Sequence, residues 1–193
     1  AQLFQTDKHR DLNKKMVAMV VTEARSFGIK EVLPTFSEGD QTGVKFENGK
    51  VIIPECFRRP HRLMIENEWT SLTEDPAVGG QGLPHMVMRA ANEYFIGANY
   101  AMVIYAMEGH GTGKMIELFG TEKQKELFLE KLYTAQWGGT MDLTEPQAGS
   151  DVGALITSAK PLDDGTYAIT GNKIYITNGE HDLTENIIHP VLA

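Results

Sequence analysis

Leu143-Thr144-Glu145-Pro146-Gln147-Ala148-Gly149-Ser150-Asp151 is the stretch on which the reading of this chain turns. Glu145-Pro146 forces an extended or turn backbone, because the proline ring crowds the residue before it. Ala148-Gly149-Ser150 then lets the backbone approach a neighbour closely, with the Ser150 hydroxyl and nearby N–H groups as donors. Such a concave run of donors suits a phosphate or a polarised heterocycle. Taken alone, the same residues also read as a solvated surface turn between two strands.

A second segment lies downstream, Gly171-Asn172-Lys173-Ile174-Tyr175-Ile176-Thr177-Asn178-Gly179. Read as a strand, it sets Ile174 and Ile176 on one face and Tyr175 and Thr177 on the other. The second face then offers an aromatic plane and a hydroxyl to a planar ligand, or is simply the solvent face of a half-exposed strand.

Between these segments the pattern is β. Leu155–Pro161 and Thr166–Thr170 flank Asp163-Asp164-Gly165, a hairpin turn, and Gly171-Asn172 leads into a strand over Lys173–Thr177. Upstream the pattern is helical. Leu12, Met16, Val20, Ala24 and Phe27 recur at spacings of four and three, which predicts an amphipathic helix over Asp7–Phe27 stopped by Gly28. Residues 30–59 read as a long connection with a short hairpin around Val44–Ile53, followed by a helix over His61–Leu72. A loop over Asp75–Gly82 precedes a helix from Pro84 to about Met107, apolar around most of its circumference. A helix over Thr112–Phe119 is capped by Gly120. Thr121 and Gln124 form a capping box for the next helix, Glu122–Leu132. Gly138-Gly139 breaks the helical pattern. The fold class is therefore α+β, with an all-α domain over residues 1–136 and the beginning of an antiparallel β domain over 137–193.

Composition is that of an ordinary globular chain: 193 residues, 41% hydrophobic and 23% charged. The net charge of −8 argues against a nucleic-acid partner, which needs a basic face. The most apolar run, Tyr94–Met107, is too short for a membrane span. A lone cysteine, Cys56, cannot build a disulfide framework and points to a reducing compartment, where it serves as a small apolar residue. Ala1 and the strand-like run Val191-Leu192-Ala193 both read as cut ends. Gly109-His110-Gly111-Thr112-Gly113-Lys114 looks like a phosphate loop, but Met115 stands where Ser or Thr is required, and a helix break is the better reading. Glu180, His181, Asp182 and Glu185 match no metal-ligand spacing and read as a solvated acidic loop, so no metal is expected.

In this order and separation, the two segments resemble the signatures of the acyl-CoA dehydrogenase family. Leu143–Asp151 matches (A/V/L)-T-E-P-x-A-G-S-D, and Gly171–Asn178 matches G-x-K-x-(W/Y/F)-I-T-N, with Tyr175 in place of the commoner Trp. Gly120-Thr121-Glu122-Lys123-Gln124-Lys125, followed by Trp137-Gly138, resembles the family's G-T-E-x-Q-K helix pair. Gly79-Gly80-Gln81-Gly82-Leu83 resembles its glycine-rich loop. The early connection and the acidic run Gly179–Asn186 resemble the branch that includes 3-methylmercaptopropionyl-CoA dehydrogenases.

The resemblance implies a flavoprotein of fatty-acid metabolism, with a helical domain, a β domain and a C-terminal four-helix domain. It implies FAD as cofactor, lined by Met141, Asp142, Leu143 and Thr144, with Thr144 on the pyrimidine side. Tyr175, Ile176 and Thr177 would complete the flavin site, Tyr175 stacking on the ring and Thr177 donating near N5. Ser150 would lie by the pyrophosphate and by the acyl-CoA substrate. The implied reaction is α,β-desaturation of an acyl-CoA thioester, with electrons passed to an electron-transferring flavoprotein; an oxidase on the same fold would pass them to oxygen. The catalytic glutamate belongs to the C-terminal helices, so residues 1–193 alone are expected to be inactive. A homodimer or homotetramer is implied, in the cytoplasm of a bacterium or the matrix of a mitochondrion.

Overall fold

The computed structural model describes residues 3–193. Six α-helices and six short strands follow one another in the order α1 Lys14–Phe27, α2 Thr35–Thr42, β1 Lys45–Glu47, β2 Lys50–Ile52, α3 Arg58–Glu66, α4 His85–Met107, α5 Gly109–Phe119, α6 Glu122–Tyr133, β3 Gly138–Gly139, β4 Ser158–Pro161, β5 Tyr167–Thr170 and β6 Ile187–Ile188.

The first helix starts later than its periodicity predicts. Residues 7–9 form a single 3-10 turn, and Asn13 caps α1 by accepting the Met16 N–H at 3.0 Å. A side-chain acceptor at that position satisfies a free first-turn donor, which fixes the start better than the apolar pattern does. Gly28 is no stop. It is helical (φ −54, ψ −45) and continues into a π-helical turn over Gly28–Val32. A Cβ there would lie 3.2 Å from the Tyr94 carbonyl oxygen, so the glycine serves the close approach of α1 to α4.

Residues 30–59 hold the expected hairpin, with Lys45 opposite Ile52, but also α2, which the sequence reading missed. Six polar residues and Gly39, with Phe36 as the one apolar side chain, hide that helix from the apolar pattern. A Cβ on Gly39 would sit 2.3 Å from the Phe57 ring, so its glycine is a packing residue. The third helix is shorter and earlier than His61–Leu72, and carries Pro60 in its first turn.

The helix α4 forms the centre of the helical layer. Val87, Ala91, Phe95, Ala98, Met102 and Ala106 line its buried face, and Phe95 meets Phe27 and Trp69 edge-on at centroid distances of 5.6 and 5.2 Å. Its opposite side leaves Met86, Ile96 and Tyr100 exposed. The helix is broken at Asn99 (φ −165, ψ 91), whose buried side chain accepts the Met102 N–H and donates to the Thr35 hydroxyl. It acts as an internal cap that restarts the helix toward the β segment. No helix among the described residues is long and apolar enough to cross a membrane.

After α6, which the expected capping box opens, the chain turns to strand. The strand β3 runs parallel to β6, and the pairing extends through Asp142 opposite Val191. Gly139 passes so close to α5 that a Cβ would fall 2.5 Å from the Thr112 hydroxyl oxygen. That hydroxyl donates to the Thr140 carbonyl at 2.8 Å. The glycine pair thus lets a strand lie directly on a helix. The hairpin β4–β5 has the expected antiparallel register, Ser158 opposite Thr170, and stands exposed along its length.

Candidate functional site

The expected strand over Lys173–Thr177 is absent. Lys173–Asn178 is irregular, with Tyr175 (φ 57) and Asn178 (φ 56) both left-handed. The alternation of faces inferred from a strand therefore does not hold. Local side-chain anchoring replaces the strand ladder.

Glu145 is the organising residue. It is 2% exposed, and its carboxylate accepts five hydrogen bonds, from Gln147 Nε2 (2.6 Å), Ile156 N–H (2.9 Å), Thr157 N–H (3.0 Å), the Thr157 hydroxyl and Lys173 Nζ (2.9 Å). The Ile156 N–H, the Thr157 hydroxyl and the Lys173 ammonium hold this carboxyl far below the usual carboxylate range, against the opposing effect of burial. Lys173 Nζ donates again to the Leu143 carbonyl at 3.0 Å, and the Ile174 N–H donates to the Thr144 carbonyl at 2.9 Å. One buried ion pair and two backbone contacts therefore join residues 143–145 to 173–174.

Asp142 is fixed differently. Its carboxylate accepts the Thr140 hydroxyl at 2.6 Å, and His189 Nδ1 lies 2.9 Å from that same hydroxyl. Its backbone N–H donates to Pro190 O at 2.9 Å. These contacts leave Met141 and Leu143, on either side of it, exposed at 48% and 40%. Thr144 and Ile176 are half-buried, while Ser150 and Thr177 are exposed. Tyr175 is 89% exposed. No hydrogen bond among the described residues links Ser150 to the others.

A cavity of about 240 Å³ opens beside this surface, walled by Trp69, Met88, Asn92, Met107, Glu108 and Met141. Met141 belongs both to the cavity wall and to the segment 141–144. The Glu108 carboxyl has no hydrogen-bond partner among the described residues, and burial pushes it above its ordinary range. His110, which also lines the cavity, pairs with Glu74 at 2.5 Å.

Four contributors escaped the sequence reading: Lys173, Asn178, His181 and Asp182. Lys173 and Asn178 lie inside a quoted motif but gave no hint of their partners. Asn178 Nδ2 donates to the Ile104 carbonyl of α4 at 3.0 Å. The loop after them is not solvated throughout. His181 is buried against the Tyr105 ring at 5.2 Å, and Asp182 pairs with Arg58 and accepts the Ile53 N–H. No cluster of three potential metal ligands occurs among the described residues.

Residues 15–136 match the family model described as acyl-CoA dehydrogenase, N-terminal domain. The chain is 43% identical over 84% of its length to 3-methylmercaptopropionyl-CoA dehydrogenase of Ruegeria pomeroyi, of which it spans 28%. Among solved structures it is similar to butyryl-CoA dehydrogenase from Megasphaera elsdenii, at 29% identity and a TM-score of 0.71, over 87% of this chain and 42% of that one. It is similar also to an acyl-CoA dehydrogenase from Bacillus anthracis complexed with FAD, at 26% identity and a TM-score of 0.69, over 87% of this chain and 27% of that one. The chain thus spans less than half the length of these relatives. The family match covers more than half of it, and the chain belongs to the acyl-CoA dehydrogenase family.

Proposed function

We propose that the full-length protein is an FAD-dependent acyl-CoA dehydrogenase that desaturates an acyl-CoA thioester between its α and β carbons. The observation that carries this reading is Met141, which walls the cavity and also stands in the row assigned to the flavin. An acyl chain in the cavity and a ring on the Met141–Thr144 surface would then abut.

The residues present fit such a group. Met141, Leu143 and Tyr175 offer exposed apolar surface for a planar heterocycle, and Thr177 and Ser150 offer exposed hydroxyls. FAD, when bound, supplies the two-electron acceptor. The protein supplies orientation, water exclusion and hydrogen bonds. In this reading Asp142, Thr144 and Ile176 would complete that wall through their backbone, and Ser150 would serve the pyrophosphate and the acyl-CoA.

Glu145 is not the base, because all its acceptor capacity goes to structural partners. Glu108 lines the cavity and burial raises its pKa, but the family resemblance assigns the base to the C-terminal helices. The base is therefore placed beyond residues 1–193, and these residues alone are expected to be inactive. The same reading divides them into a helical domain, 1–136, and a β domain, 137–193. The electron acceptor is an electron-transferring flavoprotein, and the complete enzyme is a homodimer or homotetramer in a bacterial cytoplasm. The relationship to the Ruegeria enzyme supports a short acyl substrate, with the thioether-bearing 3-methylmercaptopropionyl group as a candidate.

Flavin content tests the cofactor assignment. Full-length protein should purify with about one FAD per chain. Thr177→Ala should weaken FAD binding roughly fivefold, the worth of one hydrogen bond. Protein that neither retains nor rebinds FAD would overturn the reading.

A further inference from the structure

Segment 173–178 carries no ladder hydrogen bonds, so its shape depends on where its two ends are tied. One end is fixed to residues 143–145 through Lys173 and the Ile174 N–H. The other end is fixed by Asn178, whose Nδ2 donates to Ile104 O at 3.0 Å. The same carbonyl accepts the Glu108 N–H of the last α4 turn at 3.0 Å. Met107 and Glu108, at that end of the helix, wall the cavity. Between the two ties Tyr175 stands left-handed and exposed. Asn178 is itself left-handed, a conformation that asparagine tolerates better than most residues.

We propose that Asn178 is a positioning residue, which sets the register between the ring-facing residues 175–177 and the cavity formed at the end of α4. Its amide joins the segment on the flavin side to the helix on the substrate side. Without it, the next hydrogen-bonded tie beyond Tyr175 and Thr177 to the helical layer is Asp182, four residues further on, which pairs with Arg58 and accepts the Ile53 N–H. The proposal rests on the flavoprotein reading above. It concerns the relative placement of two binding partners and assigns Asn178 no contact with either. Small displacements between reacting groups carry large rate penalties, so a lost tether should show in rate before it shows in affinity.

The test compares full-length wild type with Asn178→Gly and Asn178→Asp. Glycine keeps the left-handed backbone accessible and removes the amide. Aspartate keeps the shape and removes the N–H donor. Two quantities are read: the rate constant for anaerobic flavin bleaching by saturating butyryl-CoA, and the shift of the flavin visible band produced by a non-oxidisable thioether analogue of butyryl-CoA. Both variants should hold FAD within about twofold of wild type, bleach about tenfold or more slowly, and show a diminished band shift. A glycine variant that matches wild type in rate and band shift would overturn the proposal, leaving Asn178 with a backbone role alone. Loss of FAD from both variants would also overturn it, because the residue would then hold the cofactor rather than the register. Wild-type protein that lacks FAD, or whose FAD no acyl-CoA bleaches, would instead sink the parent reading.

Discussion

At the residue scale, Glu145 and Lys173 hold the candidate site together. A buried carboxylate that loses its cation is left uncompensated in a poorly solvating place, and that penalty exceeds the loss of the pair's attraction. Lys173→Met should therefore lower the melting temperature by several degrees and release segment 173–178 to proteolysis or hydrogen exchange. An unchanged exchange pattern there would mean that the ion pair does not hold the segment. The buried imidazoles His61 and His181 predict a pH dependence. Burial, with a smaller contribution from His181, pushes His61 from 6.5 down to about 4, and burial lowers His181 too, against the opposing effects of Asp182 and Glu180. Both are neutral in the fold, and the unfolded chain takes up protons first. For His61, stability is therefore full above about pH 6.5 and falls as the pH drops toward 4, by up to about 1.4 kcal/mol per pH unit, and His181 acts in the same direction. Denaturant midpoints measured between pH 7.5 and 5 check this, and His61→Phe should flatten the slope.

At the element scale, α4 and the glycine-paired strand β3 set the site's geometry. Asn99 restarts α4 by capping Met102 and is braced by the Thr35 hydroxyl. Asn99→Ala removes both bonds and should cost about 1–2 kcal/mol in chemical denaturation. Gly139→Ala would drive a methyl into Thr112 and should cost about 1–3 kcal/mol through overpacking. A neutral outcome would show that β3 can lift from α5.

These same elements show what a sequence can reveal. The capping box at Thr121 and Gln124, the Asp163-Asp164-Gly165 turn and the central apolar helix were legible because each is written in adjacent residues. The helix α2 was not, since its buried face is made of Thr35 and Gly39 rather than large apolar residues. Residues 173–177 have strand-like alternation, yet partners distant in sequence hold them in another shape. Glu145 reads locally as the residue before a proline, and nothing adjacent announces that Thr157 and Lys173 complete it. The roles of Lys173 and Asn178 likewise depend on carbonyls 30 and 74 residues away in sequence.

At the scale of the whole molecule, the helical layer supplies a cavity and the β segment supplies a wall that meets it at Met141. The net charge of −8 over residues 1–193 opposes an anionic ligand at long range, so such a ligand would have to be met by local contacts. Lys173 and Ile174 join the two signature segments in the fold, and the family match supports the assignment. The measurement that bears most directly on it is the visible absorption of the full-length protein during anaerobic titration with short acyl-CoA thioesters. A bound-flavin band that bleaches stoichiometrically is expected. A flavin band that survives every acyl-CoA offered, or a protein with no flavin band at all, would contradict it.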